Sequence, residues 1–173
     1  MGDLVGKIQS GRGLLQRIGA KIPGFRGYLE RETRRGADKL LRDSITGRFE
    51  QQLRRLPDVQ IDLVNSGRLE FVDDVERATM KLQTFVDRVK TTPRGYSGFY
   101  DAIKVNEGEL EQLYDFDSKL LDEADKIAAA IDAVATAVGS SGDVGGAVRG
   151  LIGAATAIND LYSQREHVLL GSV

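Results

Sequence analysis

Apolar residues recur at intervals of three and four through most of this chain, the period of helices that bury one face. At the front, Leu4, Ile8, Gly11, Leu15, Ile18 and Ile22 form a narrow stripe with Lys7, Arg12, Arg17 and Lys21 at its flanks, a basic amphipathic helix. Gly2, Gly6, Gly11, Gly13 and Gly19 each cost about 1 kcal/mol of helix propensity relative to Ala, so this helix is expected to be weak alone and to order against a surface. Ile22-Pro23-Gly24-Phe25 ends it in a turn.

From Gly27 to Leu56 a long basic helix is predicted, with Leu29, Ala37, Leu40, Leu41, Ile45, Phe49, Leu53 and Leu56 on its apolar face. Arg31, Arg35, Lys39 and Arg42, spaced four, four and three, stack on a second face. Pro57 reads as its stop, and the alternation of Val59, Ile61 and Leu63 as an extended connector too short for a sheet. A core-facing helix is predicted from Ser66, carrying Leu69, Val72, Val75, Thr79, Leu82, Val86 and Val89, and it ends at Thr91-Thr92-Pro93. Tyr96, Phe99 and Tyr100 then read as an aromatic plug for one end of a bundle.

Asn106 and Glu109 have the spacing of a capping box and open a helix that becomes Ala-rich and nearly uncharged after Lys126. Gly139-Ser140-Ser141-Gly142 breaks it, Asp143 caps the next start, and Val144 to Val168 make a last amphipathic helix. Gly146, Gly150 and Gly153 are expected to let backbones approach. The fold expected is all-α: a bundle of about four long helices over residues 27–173, preceded by the basic segment 1–26.

Composition adds little to the fold and more to the partner. The chain has 173 residues, 41% hydrophobic and 29% charged, which suits one domain with a real core. No cysteine is present, which removes disulfides and thiolate chemistry. The front lacks the continuous apolar run of a cleaved signal, and no apolar run is long enough for a transmembrane helix. The formal charge of -2 hides a polarised chain: 13 Lys and Arg against 6 Asp and Glu through Leu56, then 11 against 20. Asp101 to Asp132 alone holds 10 acids against Lys104, Lys119 and Lys126.

Candidate chemistry is sparse. His167 is the single histidine, and a triad drawn from it, Ser163 and Asp160 would have to be oriented from one helix end. The acid clusters Asp115/Asp117 and Asp122/Glu123/Asp125 lack the ligand spacing of a calcium loop and read as a solvated face. One histidine cannot supply the paired Glu-x-x-His of a di-iron bundle. The glycine run before Val144 has no Gly-Lys-Ser/Thr ending and carries Asp143 where a phosphate would sit. No catalytic residue, metal site or cofactor is therefore assigned.

The basic front is the feature above background. Leu4, Lys7, Ile8, Leu15, Arg17, Ile18, Lys21 and Ile22 are the candidate membrane-binding residues, because an apolar stripe beside cations suits the interface of an anionic bilayer. Arg31, Arg35, Lys39 and Arg42 are candidates for an anionic partner, either a membrane surface or an acidic protein. In its order of parts, an amphipathic N-terminal helix followed by long helices of alternating charge, the chain resembles membrane-remodelling helical scaffolds of the phage-shock and ESCRT type. That resemblance is architectural, and no functional residue is carried over from it. The basic front, the polarised charge and the Ala-rich, Gly-spaced stretch from Ile127 to Ala157 are read as a non-enzymatic, self-associating scaffold in the cytoplasm, peripheral to the inner face of a membrane. The second reading is a nucleic-acid-associated protein using the basic helix 27–56, against which stand the few stacking aromatics there and the pI near 5.5.

Overall fold

The computed structural model describes residues 13, 16–22, 25, 34–91 and 107–170, and among them regular structure is helical throughout. The predicted all-α class is what is found. Five α-helices follow in order: α1 (Arg34–Leu53), α2 (Leu56–Asn65), α3 (Val72–Thr91), α4 (Glu107–Ser140) and α5 (Val144–Leu170). Residues 16–21, N-terminal to these, are helical as well. Both the aromatic stretch 96–100 and the Asn106 capping position lie outside the described residues.

The packing pattern follows from the stripes. α4 packs along α5, α5 on α3, and α1 on both α3 and α4, so each long helix meets two others. Leu41, Ile45 and Phe49 of α1 come one turn apart and are all buried, as are Leu82, Phe85, Val86 and Val89 of α3. Phe49 meets Phe85 edge-on at 4.6 Å between ring centroids, and Phe85 meets Tyr162 at 5.7 Å, a ladder that links α1, α3 and α5. Ile127, Ile131 and Val134 close the same core from α4. Ile18, Ile22 and Phe25 from the N-terminal segment belong to it too.

The stretch read as an extended connector is a helix. Leu56, Val59 and Leu63 of α2 are buried at helical spacing, a register that outranks the alternation of Val59, Ile61 and Leu63. Pro57 does not stop a helix here; it sits in the first turn of α2, where its missing N–H would have had no intrahelical partner. The break from α1 is the turn at Arg54–Arg55.

Two helix ends share one geometry with different residues. After α2, the Arg68 N–H reaches the Leu63 carbonyl at 2.9 Å and the Gly67 N–H reaches that of Val64 at 3.1 Å, with Gly67 left-handed at φ 72°. After α4, the Gly142 N–H reaches the Ala137 carbonyl at 2.8 Å, and here the left-handed residue is Ser141, at φ 56°. α5 then opens as expected: Asp143 accepts the Gly146 N–H at 2.8 Å. A Cβ on Gly146 would lie 2.3 Å from Asp143 Oδ2, so glycine there keeps room for the cap. Gly150 and Gly153 differ, since a Cβ on either would meet nothing within 4 Å; close packing inside this chain does not account for them.

These positions predict stability changes of opposite sign. Gly67→Ala should destabilise by about 1 kcal/mol, because a Cβ is strained in the left-handed region, and Ser141→Gly should stabilise by up to about 1 kcal/mol for the same reason. Gly150→Ala and Gly153→Ala should each stabilise by about 0.8–1 kcal/mol through helix propensity. Urea unfolding followed by circular dichroism measures all four.

Candidate functional site

The N-terminal segment, α1 and α4 line a polar groove that Lys21 reaches. Ile18 and Ile22, four apart, point into the core, which turns Lys21 toward α4. There its ammonium donates to Asp122 Oδ1 at 2.5 Å, to Ser118 Oγ at 3.2 Å and to the Ser118 carbonyl at 3.3 Å. Arg48 of α1 donates to the Lys21 carbonyl at 2.8 Å, so both the side chain and the backbone of that residue are held. Beside these contacts lies a groove of about 480 Å³ lined by Ala20, Lys21, Arg48, Gln51, Gln52, Ala124 and Asp125. Two cations, two amides and a carboxylate can hold a polar or anionic group; the lining contains no nucleophile.

The predicted membrane-binding residues are distributed unevenly. Arg17 is exposed, Ile18 and Ile22 are buried in the core, and Lys21 is half-buried on Asp122. Leu4, Lys7, Ile8 and Leu15 lie outside the described residues. In this docked arrangement the two isoleucines are covered by the chain's own core, so contact between them and a bilayer requires the segment to come away. Of the four helix-face cations, Lys39 is exposed and Arg42 half-buried, Arg35 is in α1 without a described side chain, and Arg31 is outside the described residues. The structure therefore brings Lys21 together with Arg48, a residue the sequence pattern does not single out.

A second cluster had been read as solvated surface. Asp117 is buried and takes a side-on pair from Arg165 of α5, Nε to Oδ1 at 2.7 Å and Nη2 to Oδ2 at 3.3 Å. Tyr162 lies between two guanidinium groups, its ring centroid 5.9 Å from Arg165 Cζ and 4.8 Å from Arg88 Cζ. Arg88 also donates to Glu166 Oε2 at 2.7 Å, to Ser163 Oγ at 3.0 Å and to the Asn159 carbonyl at 3.2 Å. A signal for the pair was present: Leu113, Asp117 and Leu120 run four and three, as do Ile158, Tyr162 and Arg165, so opposite charges interrupt two core stripes.

The catalytic arrangement considered from sequence is not formed. His167 Nδ1 lies 2.8 Å from the Ser163 carbonyl, while Ser163 Oγ donates to the Asn159 carbonyl and accepts from Arg88. The imidazole is thus engaged with backbone and not with the hydroxyl. Among the described residues no three His, Asp or Glu side chains gather as metal ligands, and no helix is long and apolar enough to cross a membrane. Outside the buried groups, Glu123 holds the fully exposed Lys126 ammonium above the ordinary lysine range through a hydrogen bond and its charge.

Comparison with protein-family models, with curated proteins and with solved structures finds no match to this chain.

The buried pair gives a test of its own role. Arg165→Ala leaves the Asp117 carboxylate without its guanidinium at a site that is 3% exposed, and should destabilise by about 3–5 kcal/mol. Arg165→Met with Asp117→Leu, which removes both charges, should recover most of that loss in urea unfolding, because the larger penalty is the orphaned charge.

Proposed function

We propose that this chain is a non-enzymatic helical scaffold or binding protein: a bundle of about four long helices whose basic N-terminal helix engages an anionic membrane surface on the cytoplasmic side, and which associates with copies of itself. The observation that carries the membrane part is the way residues 16–25 are held. Three apolar side chains, Ile18, Ile22 and Phe25, are inserted in the core and one cation, Lys21, is paired with a carboxylate. An interfacial helix needs the same two things from a bilayer, an apolar medium for its stripe and negative charge for its cations. The segment thus has two alternative partners that satisfy one face.

Magnitudes keep the two states within reach of each other. Burying each of the three side chains contributes about 1.5–3 kcal/mol wherever it is buried, in the core or among acyl chains, so that part cancels in the exchange, and the cost that remains is the core surface uncovered when they leave. Lys21 and Asp122 are 25% and 54% exposed, and a pair so solvated contributes about 0.2–1 kcal/mol. Near an anionic surface each cation gains about 1 kcal/mol, and Lys7, Arg12, Arg17 and Lys21 are all on this segment. Lipid charge is then what decides between the docked and released positions.

Self-association is supported by what the chain does not explain internally. Gly150 and Gly153 open onto space, two glycines that cost α5 helix propensity without serving this chain's own packing, and Ala129, Ala133 and Ala157 are exposed as well.

Vesicle co-sedimentation tests the proposal. The intact chain should bind phosphatidylserine-containing vesicles more than phosphatidylcholine ones, and less as salt rises. Asp122→Asn, which removes the ion pair of Lys21 and leaves its hydrogen bonds to Ser118, should raise anionic-vesicle binding by about two- to fivefold, the equivalent of one exposed pair. Lys7→Gln with Arg12→Gln and Arg17→Gln should lower it, and these substitutions spare the buried Ile18, Ile22 and Phe25 on which the fold draws. Equal recovery of every variant in the supernatant at low salt, on either lipid, would sink the membrane reading.

A further inference from the structure

We propose that the hairpin of α2 and α3 carries a docking surface for a basic amphipathic helix, and that its occupant is residues 3–15 of a second copy of this chain. The inference rests on the self-association part of the proposed function and adds a second contact surface, distinct from the small residues of α4 and α5. Its first support is where exposed apolar side chains fall. Among the described residues the large hydrophobics left in solvent are Ile61 at 56%, Val64 at 50%, Leu69 at 63% and Met80 at 63% exposure. All four lie within the one hairpin. Scattered single exposures need no explanation, but a set confined to twenty residues does.

Helix geometry places them together. α2 buries Leu56, Val59 and Leu63, which turns Ile61 and Val64, three apart, to its outer side. Gln60 donates from Nε2 to Glu76 Oε2 at 2.9 Å, tying the outer sides of α2 and α3 across the groove between them. Ile61 follows Gln60 directly and Val64 follows it by one turn, Met80 follows Glu76 by one turn, and Leu69 sits in the 3-10 turn Leu69–Phe71 that joins the two helices. Four exposed apolar side chains thus lie about the Gln60–Glu76 contact on one hairpin, a surface that offers apolar contacts to the stripe of an amphipathic helix.

Charge identifies the partner. Between Leu56 and Met80 the chain carries Asp58, Asp62, Glu70, Asp73, Asp74 and Glu76 against Arg68 and Arg77, and Arg77 is already on Asp74 at 3.1 Å. Asp58, Asp62, Glu70 and Asp73 are exposed and make no ion pair among the described residues. The acids of α4 are differently placed: Asp115, Asp117, Asp122, Glu123 and Asp132 are engaged by Lys119, Arg165, Lys21, Lys126 and Arg55 of the same chain. Asp43, Asp87, Asp125, Asp143 and Asp160 also make no ion pair among the described residues, but the hairpin is where four such acids lie beside exposed apolar side chains. A helix that matches it has apolar residues at spacings of three and four with cations at the edges, and residues 3–15 supply Leu4, Ile8 and Leu15 with Lys7 and Arg12. Because donor and acceptor surfaces differ, the contact is heterologous and propagates from copy to copy.

The test pairs the full-length chain with a fluorescently labelled synthetic peptide of residues 1–16, read by anisotropy, and follows the chain alone by sedimentation velocity. Expected is saturable binding that weakens by about tenfold or more between about 50 and 500 mM salt. Ile61→Ser with Val64→Ser should weaken it by about tenfold or more, and Asp58→Asn with Asp62→Asn and Asp73→Asn should flatten its salt dependence. The apolar pair is exposed, so its thermal midpoint should stay near the wild-type value, whereas Asp58 and Asp73 lie in the first turns of α2 and α3 and their loss should lower the midpoint by a few degrees; self-association should fall in each variant as it does in Leu4→Ser with Ile8→Ser. Self-association unchanged by the hairpin variants would overturn the location while leaving assembly standing. A monomer at every concentration with no peptide bound would remove both. A monomer that still binds the peptide would show that the occupant is not a second copy.

Discussion

One turn of α4 sets the positions of most else. Asp117 points to α5 and is clamped side-on by Arg165, while Ser118 and Asp122, on the adjoining face, receive Lys21 from the N-terminal segment. Leu120 and Leu121 fill the core between them. A buried guanidinium–carboxylate pair adds little net stability compared with apolar residues of the same shape, yet it tolerates no slip, because a shift of one residue leaves two charges in the core. The register of α4 on α5 thereby fixes where Ser118 and Asp122 stand. The docking position of the N-terminal segment inherits that register.

Much of this was legible in the amino-acid pattern and the rest failed for physical reasons. The ends of α4 and α5 were marked by glycine, serine and aspartate, whose turn and cap chemistry is local, and Asp143 does what its position suggested. α2 was misread because Val59, Ile61 and Leu63 alternate as well as a strand would, and because proline was taken as a stop when it also suits a helix start. Asp117 was misread because its acidic neighbours in sequence are surface residues, while its partner is 48 positions away. The site fared similarly. Lys21 and Ile22 were singled out for their place on an amphipathic stripe, but Arg48 and Ser118, which hold that stripe, come from two other helices and carry no signal along the chain.

The polarised charge is resolved unevenly. Lys21 to Asp122 and Arg55 to Asp132 join the basic front to the acidic middle within one chain, and Lys90 to Glu50 ties α3 back to α1. All three pairs are partly solvated, so each contributes little to stability while still satisfying the charge. Such pairs orient helices more than they hold them. The cohesion comes from the ladder of Phe49, Phe85 and Tyr162 and the aliphatic residues round it.

A weakly paired cation on an otherwise buried segment is a poor device for stability and a suitable one for exchange. Had Lys21 been enclosed as Arg165 is, release would leave a buried carboxylate behind and cost several kcal/mol. Because Asp122 is 54% exposed, water replaces the ammonium at small cost when the segment leaves. The contrast between the two ion pairs of α4 is thus one of burial: Arg165–Asp117 is enclosed and Lys21–Asp122 is open to water. Glycine-rich sequence on the N-terminal side of Lys21 also suits exchange, since Gly2, Gly6, Gly11, Gly13 and Gly19 keep the free segment from being a stable helix in water. A segment of this kind takes its order from the surface it lies on.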